Sequence, residues 1–222
     1  MMTPQQETLL KRYADAVIHS PPHLHLTADR DLKQFWVRHV LDALTLLGFV
    51  PQEYKKLGVR ILDVGSGNGI PGIPIAIATP EWSIELLDSD NKKCGFLDVF
   101  CKSYAIKNVK IIAGRAEALA QGAFRERYEV VFARALGKLR VTIELAGAFV
   151  AVGGMLIVPH GTSWESELSE SLNAISAMGL TFLQKVSYPL ENVIFHALLF
   201  KKSNAAPEIY PRPIGVPDKK PL

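Results

Sequence analysis

Residues 59–72, Val-Arg-Ile-Leu-Asp-Val-Gly-Ser-Gly-Asn-Gly-Ile-Pro-Gly, place an acid, Asp63, at the end of a short apolar run. Four glycines follow within eight positions: Gly65, Gly67, Gly69 and Gly72. A backbone without Cβ atoms can turn tightly and approach a ligand closely. Between a buried strand and a helix, such a loop cradles a nucleotide or an adenosyl group. A second acid, Asp88, closes the apolar run Ile84-Glu85-Leu86-Leu87. It lies about 20 residues beyond the loop, where a carboxylate can accept hydrogen bonds from the two hydroxyls of a ribose.

The elements that would position these acids read as alternating strands and helices. Strands are predicted at 59–64, 83–87, 108–112, 128–132, 153–158, 181–187 and 193–201. Helices are predicted at about 72–78, 90–104, 138–151 and 163–178, with a short one near 115–120. Alternation at this spacing implies parallel strands with crossover helices on both faces. Only Tyr188-Pro-Leu-Glu-Asn192 separates the last two strands, too short for a crossover, so they form an antiparallel hairpin. Ahead of the sheet, Thr3-Pro4 start a helix carrying Leu9, Leu10, Tyr13 and Val17 at helical spacing. A second helix, capped by Asp29 or Asp31, carries the ridge Leu32, Trp36, Val40, Leu44 and Leu47 and ends near Gly48. The chain thus divides into an N-terminal helical extension (1–50), a ligand-binding α/β domain (51–202) and a proline-rich basic tail (203–222). The tail's five prolines keep it out of the sheet and extended.

Two ligands fit the loop. Gly67-x-Gly69-x-x-Gly72 satisfies the dinucleotide spacing, which would make the chain an NAD-dependent oxidoreductase. Asp63-x-Gly65-x-Gly67-x-Gly69 resembles instead the first motif of class I S-adenosylmethionine (SAM) methyltransferases, in which the acid lies beneath the methionine end of SAM. A seven-stranded, mostly parallel Rossmann-like sheet with a terminal hairpin is also the class I methyltransferase shape. Asp88 serves either ligand; Asp63, the extra glycine and the hairpin favour SAM.

Composition bounds the rest. A chain of 222 residues, 48% apolar and 21% charged, suits one globular domain with appendages. The start, Met-Met-Thr-Pro-Gln-Gln-Glu, lacks the basic and apolar regions of a signal peptide, and no run of 18 apolar residues would span a membrane. Cys94 and Cys101 lie seven apart in a helical pattern, about 10 Å along the axis and too far for a disulfide. They read as core thiols in a reducing cytoplasm. The net charge of +3 permits nucleic-acid binding without arguing for it. His23 and His25 lack a carboxylate or cysteine partner, so no metal is expected.

The acceptor of a methyl group can be narrowed by what is absent. Exocyclic amines of adenine go with Asn-Pro-Pro-aromatic after strand 4, where this chain reads Phe132-Ala133-Arg134-Ala135. C5 of cytosine requires a cysteine nucleophile, commonly after proline, and neither cysteine here follows one. No base or metal cluster stands ready for an acceptor that must lose a proton. An acceptor with a free lone pair, such as N7 of guanine, is compatible with this lack because positioning alone serves it.

Several motifs together resemble the bacterial small-subunit rRNA guanine-N7 methyltransferase family, RsmG (GidB). They are Leu24-His-Leu-Thr27, Arg38-His39 with Asp42, the loop Asp63–Ile77, Leu86-Leu-Asp-Ser89 and Asn91-Lys92-Lys93. Gly114-Arg-Ala-Glu117, Ala133-Arg-Ala135, Gly153-Gly154 and the tail from Tyr210 to Leu222 complete the set. The resemblance implies a cytoplasmic, monomeric enzyme that moves a methyl group from SAM to a guanine N7 in 16S rRNA or the small ribosomal subunit. Other readings are a SAM-binding assembly factor and a small-molecule methyltransferase. It implies that Gly65 and Ile70 line the SAM loop with Asp63, Gly67, Gly69 and Asp88, that Ala116 and Glu117 frame the adenine, and that Arg134 lies at the cofactor. Arg134 could also hold an RNA phosphate or base edge, or pair with an acid such as Glu144. Arg38, His39, His160, Arg212, Lys219 and Lys220 become candidates for RNA contact. The chain departs from the family at Pro159-His160-Gly161, where Lys-Gly is usual, so an imidazole stands in place of a fixed cation.

Overall fold

The structure, a computed structural model, describes residues 2–222. It opens with α1 (Pro4–Ile18), which Thr3 starts with a capping box: its hydroxyl accepts from the Gln6 amide while the Gln6 side chain accepts from the Thr3 N–H. The next helical stretch is not one continuous α-helix. It runs as α2 (Leu32–Phe35), a π-helical turn (Trp36–Leu41) and α3 (Asp42–Leu46). The wider turn admits an extra residue. Phe35 and Val40, five apart, are therefore both fully buried, whereas Leu32, on the predicted ridge, is 42% exposed.

From there the chain alternates: β1 (Arg60–Val64), α4 (Gly72–Ala78), β2 (Ser83–Asp88), α5 (Asn91–Ser103), β3 (Val109–Ala113), α6 (Ala116–Leu119), β4 (Tyr128–Ala133), α7 (Leu139–Gly147) and β5 (Val150–His160). It continues as α8 (Trp164–Glu170), α9 (Leu172–Ala177), β6 (Leu180–Leu190), β7 (Val193–Lys202) and α10 (Val216–Lys219). The predicted helix at 138–151 is shorter because β5 already begins at Val150. The predicted helix at 163–178 breaks at the buried Ser171, whose hydroxyl donates to the Glu167 carbonyl at 2.6 Å.

The seven strands stand in the order β3-β2-β1-β4-β5-β7-β6. Pairings are parallel through β5, and β7 runs antiparallel between β5 and β6, inserted into the sheet with β6 at its edge. The fold is therefore α/β, with a mostly parallel, Rossmann-like sheet. Neighbouring residues in each strand point to opposite faces. Ile61, Val130 and Ile157 join one core with α1, α4 and α5; Leu62, Val131 and Leu156 join another with α7 and α9. Strand order reverses at β1, between β2 and β4, and a crevice forms outside the carboxyl ends of these strands.

The tail lies outside the sheet but is packed onto the domain, not loose. The Arg125 guanidinium donates to the carbonyls of Ala206, Pro207 and Tyr210. Arg212 grips Glu144 with two side-chain bonds, at 2.9 and 2.6 Å, and its backbone N–H adds a third. Glu144 is 0% exposed, so this pair neutralises a buried carboxylate. Arg212, a candidate for RNA phosphate, is in this structure the anchor of the tail. Removing it leaves a buried charge uncompensated, which costs about 3 kcal/mol. Arg212→Ala is expected to lower the unfolding free energy by about that amount in urea titrations, and Arg212→Ala/Glu144→Gln to recover part of it. A single variant as stable as the parent would show that the pair contributes nothing.

Candidate functional site

The glycine loop is fixed from below and from two sides. Asp63, at the end of β1 and fully buried, accepts the Gly72 N–H through Oδ2 at 2.9 Å. Gly72 must approach this closely: a Cβ there would lie 2.1 Å from Leu86 Cδ2 and 2.9 Å from the same carboxylate oxygen. The amides of Gly65 and Ser66 both donate to the Leu87 carbonyl, strapping the loop across the end of β2. Gly67 donates to Asp88 Oδ2 at 2.7 Å, and the amide of Asp90 takes Oδ1 at 2.8 Å. From the N-terminal side, Asn68 Nδ2 donates to the Leu26 carbonyl and the Tyr13 hydroxyl donates to the Asn68 carbonyl. The N-terminal helices are thus the floor of the loop and belong to the same core as α4 and α5.

Burial pushes the Asp63 carboxyl up to about 7; repulsion from Asp88 adds to this, while the Gly72 amide and Arg134 oppose it. Among the described residues its Oδ1 has no partner, and neither has the buried Ser66 hydroxyl of the same loop. Orphaned acceptors of this kind invite a ligand that brings a donor or a positive charge.

Above the loop is a cavity of about 540 Å³, within the range that holds a cofactor-sized molecule. Of the residues anticipated for a cofactor, Gly65, Gly67, Ile70, Asp88, Ala116, Glu117 and Arg134 line it. Asp63 lies beneath it. Gly69 faces the core instead: a Cβ there would meet Ile73 and Leu97 at 2.7 Å, so this glycine serves packing. The carboxylate of Glu117 accepts the Gly215 N–H of the tail at 2.9 Å. Gly215, Pro217, Asp218 and Lys219 complete one wall, so the tail borders the cavity. Their sequence signal was the tail motif itself; composition alone reads this segment as solvated charge. Lys219 reaches the cavity, whereas Lys220 is not among its lining residues.

Arg134 leaves the end of β4 and is surrounded by acceptors. Its Nη1 donates to Asp42 Oδ2 at 2.8 Å; its Nη2 donates to the Arg38 carbonyl at 3.2 Å and faces His39 Nδ1 at 3.0 Å. Its acid is Asp42 and not Glu144, which Arg212 occupies. Asp42 is 1% exposed and accepts the Tyr188 hydroxyl on its other oxygen at 2.5 Å. Burial raises the Asp42 carboxyl from its ordinary value, against the pull of Arg134 and the Tyr188 hydrogen bond. Tyr188 is pushed far up by burial and by Asp42. His39 Nε2 meets Asp29 Oδ2 at 2.7 Å, so both ring nitrogens of this RNA candidate are engaged inside the protein. Arg38 is half exposed, 3.7 Å from Asp29.

Arg134 and Ala135 also line a second cavity, of about 400 Å³, with Pro159, His160, Glu167 and Phe195 on its other sides. His160, the residue in place of the usual cation, points Nε2 at Glu167 at 3.4 Å. Two cavities that share one guanidinium can hold a group donor and an acceptor side by side.

A profile of the rRNA small subunit methyltransferase G family (GidB) matches residues 6–191. The ribosomal RNA small subunit methyltransferase G of Nostoc punctiforme is 33% identical over 224 residues, covering 99% of this chain and 92% of that protein. That of Alkaliphilus oremlandii is 33% identical over 224 residues, covering 100% and 92%. Among solved structures, TYW2 of M. jannaschii in complex with AdoMet superposes with a TM-score of 0.57 at 11% identity, over 73% of this chain and 74% of that one. The structural likeness shows the fold; the sequence matches show kinship.

Asp63 sets a stability signature that can be measured. Its folded value of about 7 lies above the ordinary 3.8. Between these, the folded protein holds a proton that the unfolded chain has lost, so this residue's contribution declines as pH rises through about 7. The melting temperature of the ligand-free protein, relative to that of Asp63→Asn, is expected to fall from pH 4 to pH 7 and then level off. Parallel curves for the two proteins would show that Asp63 titrates normally.

Proposed function

Since the chain belongs to the rRNA small subunit methyltransferase G (GidB) family, we propose that it methylates N7 of a guanine in 16S rRNA, with SAM as the methyl donor. The observation that carries this reading is the pair of cavities meeting at Arg134 and Ala135, at the carboxyl ends of β1, β2 and β4. The larger one suits SAM. Asp88 borders the larger cavity, and its oxygens, each accepting one backbone amide, retain lone pairs for a ribose diol; the Ser66 hydroxyl, with Asp63 beneath it, suits the ammonium of the amino-acid end. Ala116 and Glu117 are assigned to the adenine. Glu117 accepts from Gly215 through Oε1, which leaves its Oε2 and the neighbouring backbone to read the base edge.

SAM supplies an electrophilic methyl group on a sulfonium. The protein's share is to hold a base in line behind it and to exclude water. Guanine N7 has a lone pair and no proton, so no side chain has to act as a base. This agrees with Asp42, Glu167 and His39, each of which is engaged within the protein. Arg38 and Lys219 are proposed as phosphate contacts around the entrance, and His160 as a contact from the second cavity. Arg212 is left out of this set because Glu144 holds its guanidinium. The partner is the small ribosomal subunit or its RNA. No helix among the described residues is long and apolar enough to cross a membrane.

The test is transfer of a labelled methyl from SAM to small subunits lacking the modification, followed by nucleoside analysis. Label in 7-methylguanosine at one position is the expected result; label in another nucleoside, or none with SAM bound, would overturn the reading. Asp88→Ala is expected to weaken SAM binding in calorimetry by about tenfold or more, the worth of a charge-assisted hydrogen bond. Unchanged affinity would move the ribose elsewhere in the cavity.

A further inference from the structure

Arg134 is the charged residue common to both cavities, and how it is held has a chemical consequence. A guanidinium can only donate. The nitrogen facing Arg134 Nη2 at 3.0 Å, His39 Nδ1, must therefore present a lone pair. Only one neutral tautomer does so, the one with the proton on Nε2, and that proton has its acceptor in Asp29 Oδ2 at 2.7 Å. The π-helical turn supplies both the His39 ring and the Arg38 carbonyl, and α3 begins with the Asp42 carboxylate. Together they give Arg134 three acceptors from one short stretch of helix. A π turn retained at a site of this kind commonly serves function.

We propose that His39 is a positioning residue: held as the Nε2–H tautomer by Asp29, it aims Arg134 at the junction where methyl donor and acceptor base meet. The proposal rests on the methyl-transfer reading above for what Arg134 serves. Protonation of His39 would set an N–H against the guanidinium, break that hydrogen bond and place two cations in contact. The charged and titratable groups around the ring are Asp29 and Arg38 on one side, Arg134 on the other, and Asp42 with Tyr188 beyond Arg134. Burial and the Arg134 charge hold the imidazole below its ordinary 6.5, against the pull of Asp29. His39 is thus neutral where the enzyme would work, and transfer should fail on the acid side as the ring charges.

Three full-length proteins decide it: the parent, His39→Leu, which has no acceptor, and His39→Asn, whose Oδ1 replaces the Nδ1 lone pair and does not titrate. Long-range proton–nitrogen NMR of the His39 ring at pH 7.5 is expected to show a proton on Nε2 and a bare Nδ1. In transfer assays at pH 8, His39→Leu is expected to lower kcat about tenfold, the scale of a lost charge-assisted hydrogen bond. His39→Asn should recover several-fold over Leu, and its rate should fall less steeply than the parent's from pH 7 to pH 5. A proton on Nδ1 at pH 7.5, or an Asn variant as slow as Leu with the parent's acid limb, would overturn the proposal. If the parent transfers no methyl at all, the reaction reading fails, and the NMR result alone still decides whether His39 is fixed in the tautomer that Arg134 needs.

Discussion

The site depends on one carboxylate buried inside the sheet. Asp63 ends β1 inside the sheet, fully covered, with the Gly72 N–H as its single partner. That contact fixes where α4 begins. The start of α4 and the end of β1 then define both ends of the glycine loop, whose amides fall on the Leu87 carbonyl and on Asp88. A buried acid with an unmatched oxygen is costly to hold ionised. The carboxyl meets that cost by keeping its proton up to about pH 7.

Much of this was legible in the sequence, because the relevant forces are local. The apolar runs, their punctuation by glycine and acid, and the short link before the last strand correspond to the strands and hairpin observed. The glycine loop could be read because only glycine tolerates backbone approaches such as the one at Gly72. What could not be read depends on residues far apart in the chain. Nothing near Arg134 says that its acid is Asp42, or near Glu144 that it is gripped from the tail by Arg212. Nothing near the final strands says that β7 enters the sheet between β5 and β6. The inward turn of Gly69 was hidden for the same reason: its neighbours Leu97 and Tyr13 come from other elements.

The cavity is accordingly a joint product of the whole chain. Residues from the N-terminal helices, the ends of β1, β2 and β4, and the tail all border it. A ligand seated there touches segments that meet only after the long-range contacts have closed. Its binding energy therefore adds to the stability of the entire fold and not to one loop.

The π turn has an implication for the helix that carries it. By spacing alone, Leu32, Trp36, Val40, Leu44 and Leu47 make a serviceable apolar stripe for an ordinary α-helix. The observed helix buries Phe35, Val40, Asp42, Ala43 and Leu46 most deeply, with Trp36, Leu44 and Leu47 packed at the flank of the same core. The same residues thus spell two helices that differ by one residue of winding, roughly 100° of rotation. Local propensity has no reason to choose the bulged version. Tertiary contacts accompany it: Phe35 and Val40 both reach the core, and Arg134 meets the Asp42 carboxylate, the Arg38 carbonyl and the His39 imidazole at once. In this stretch the winding goes with contacts to distant parts of the chain and not with the helix's own apolar spacing.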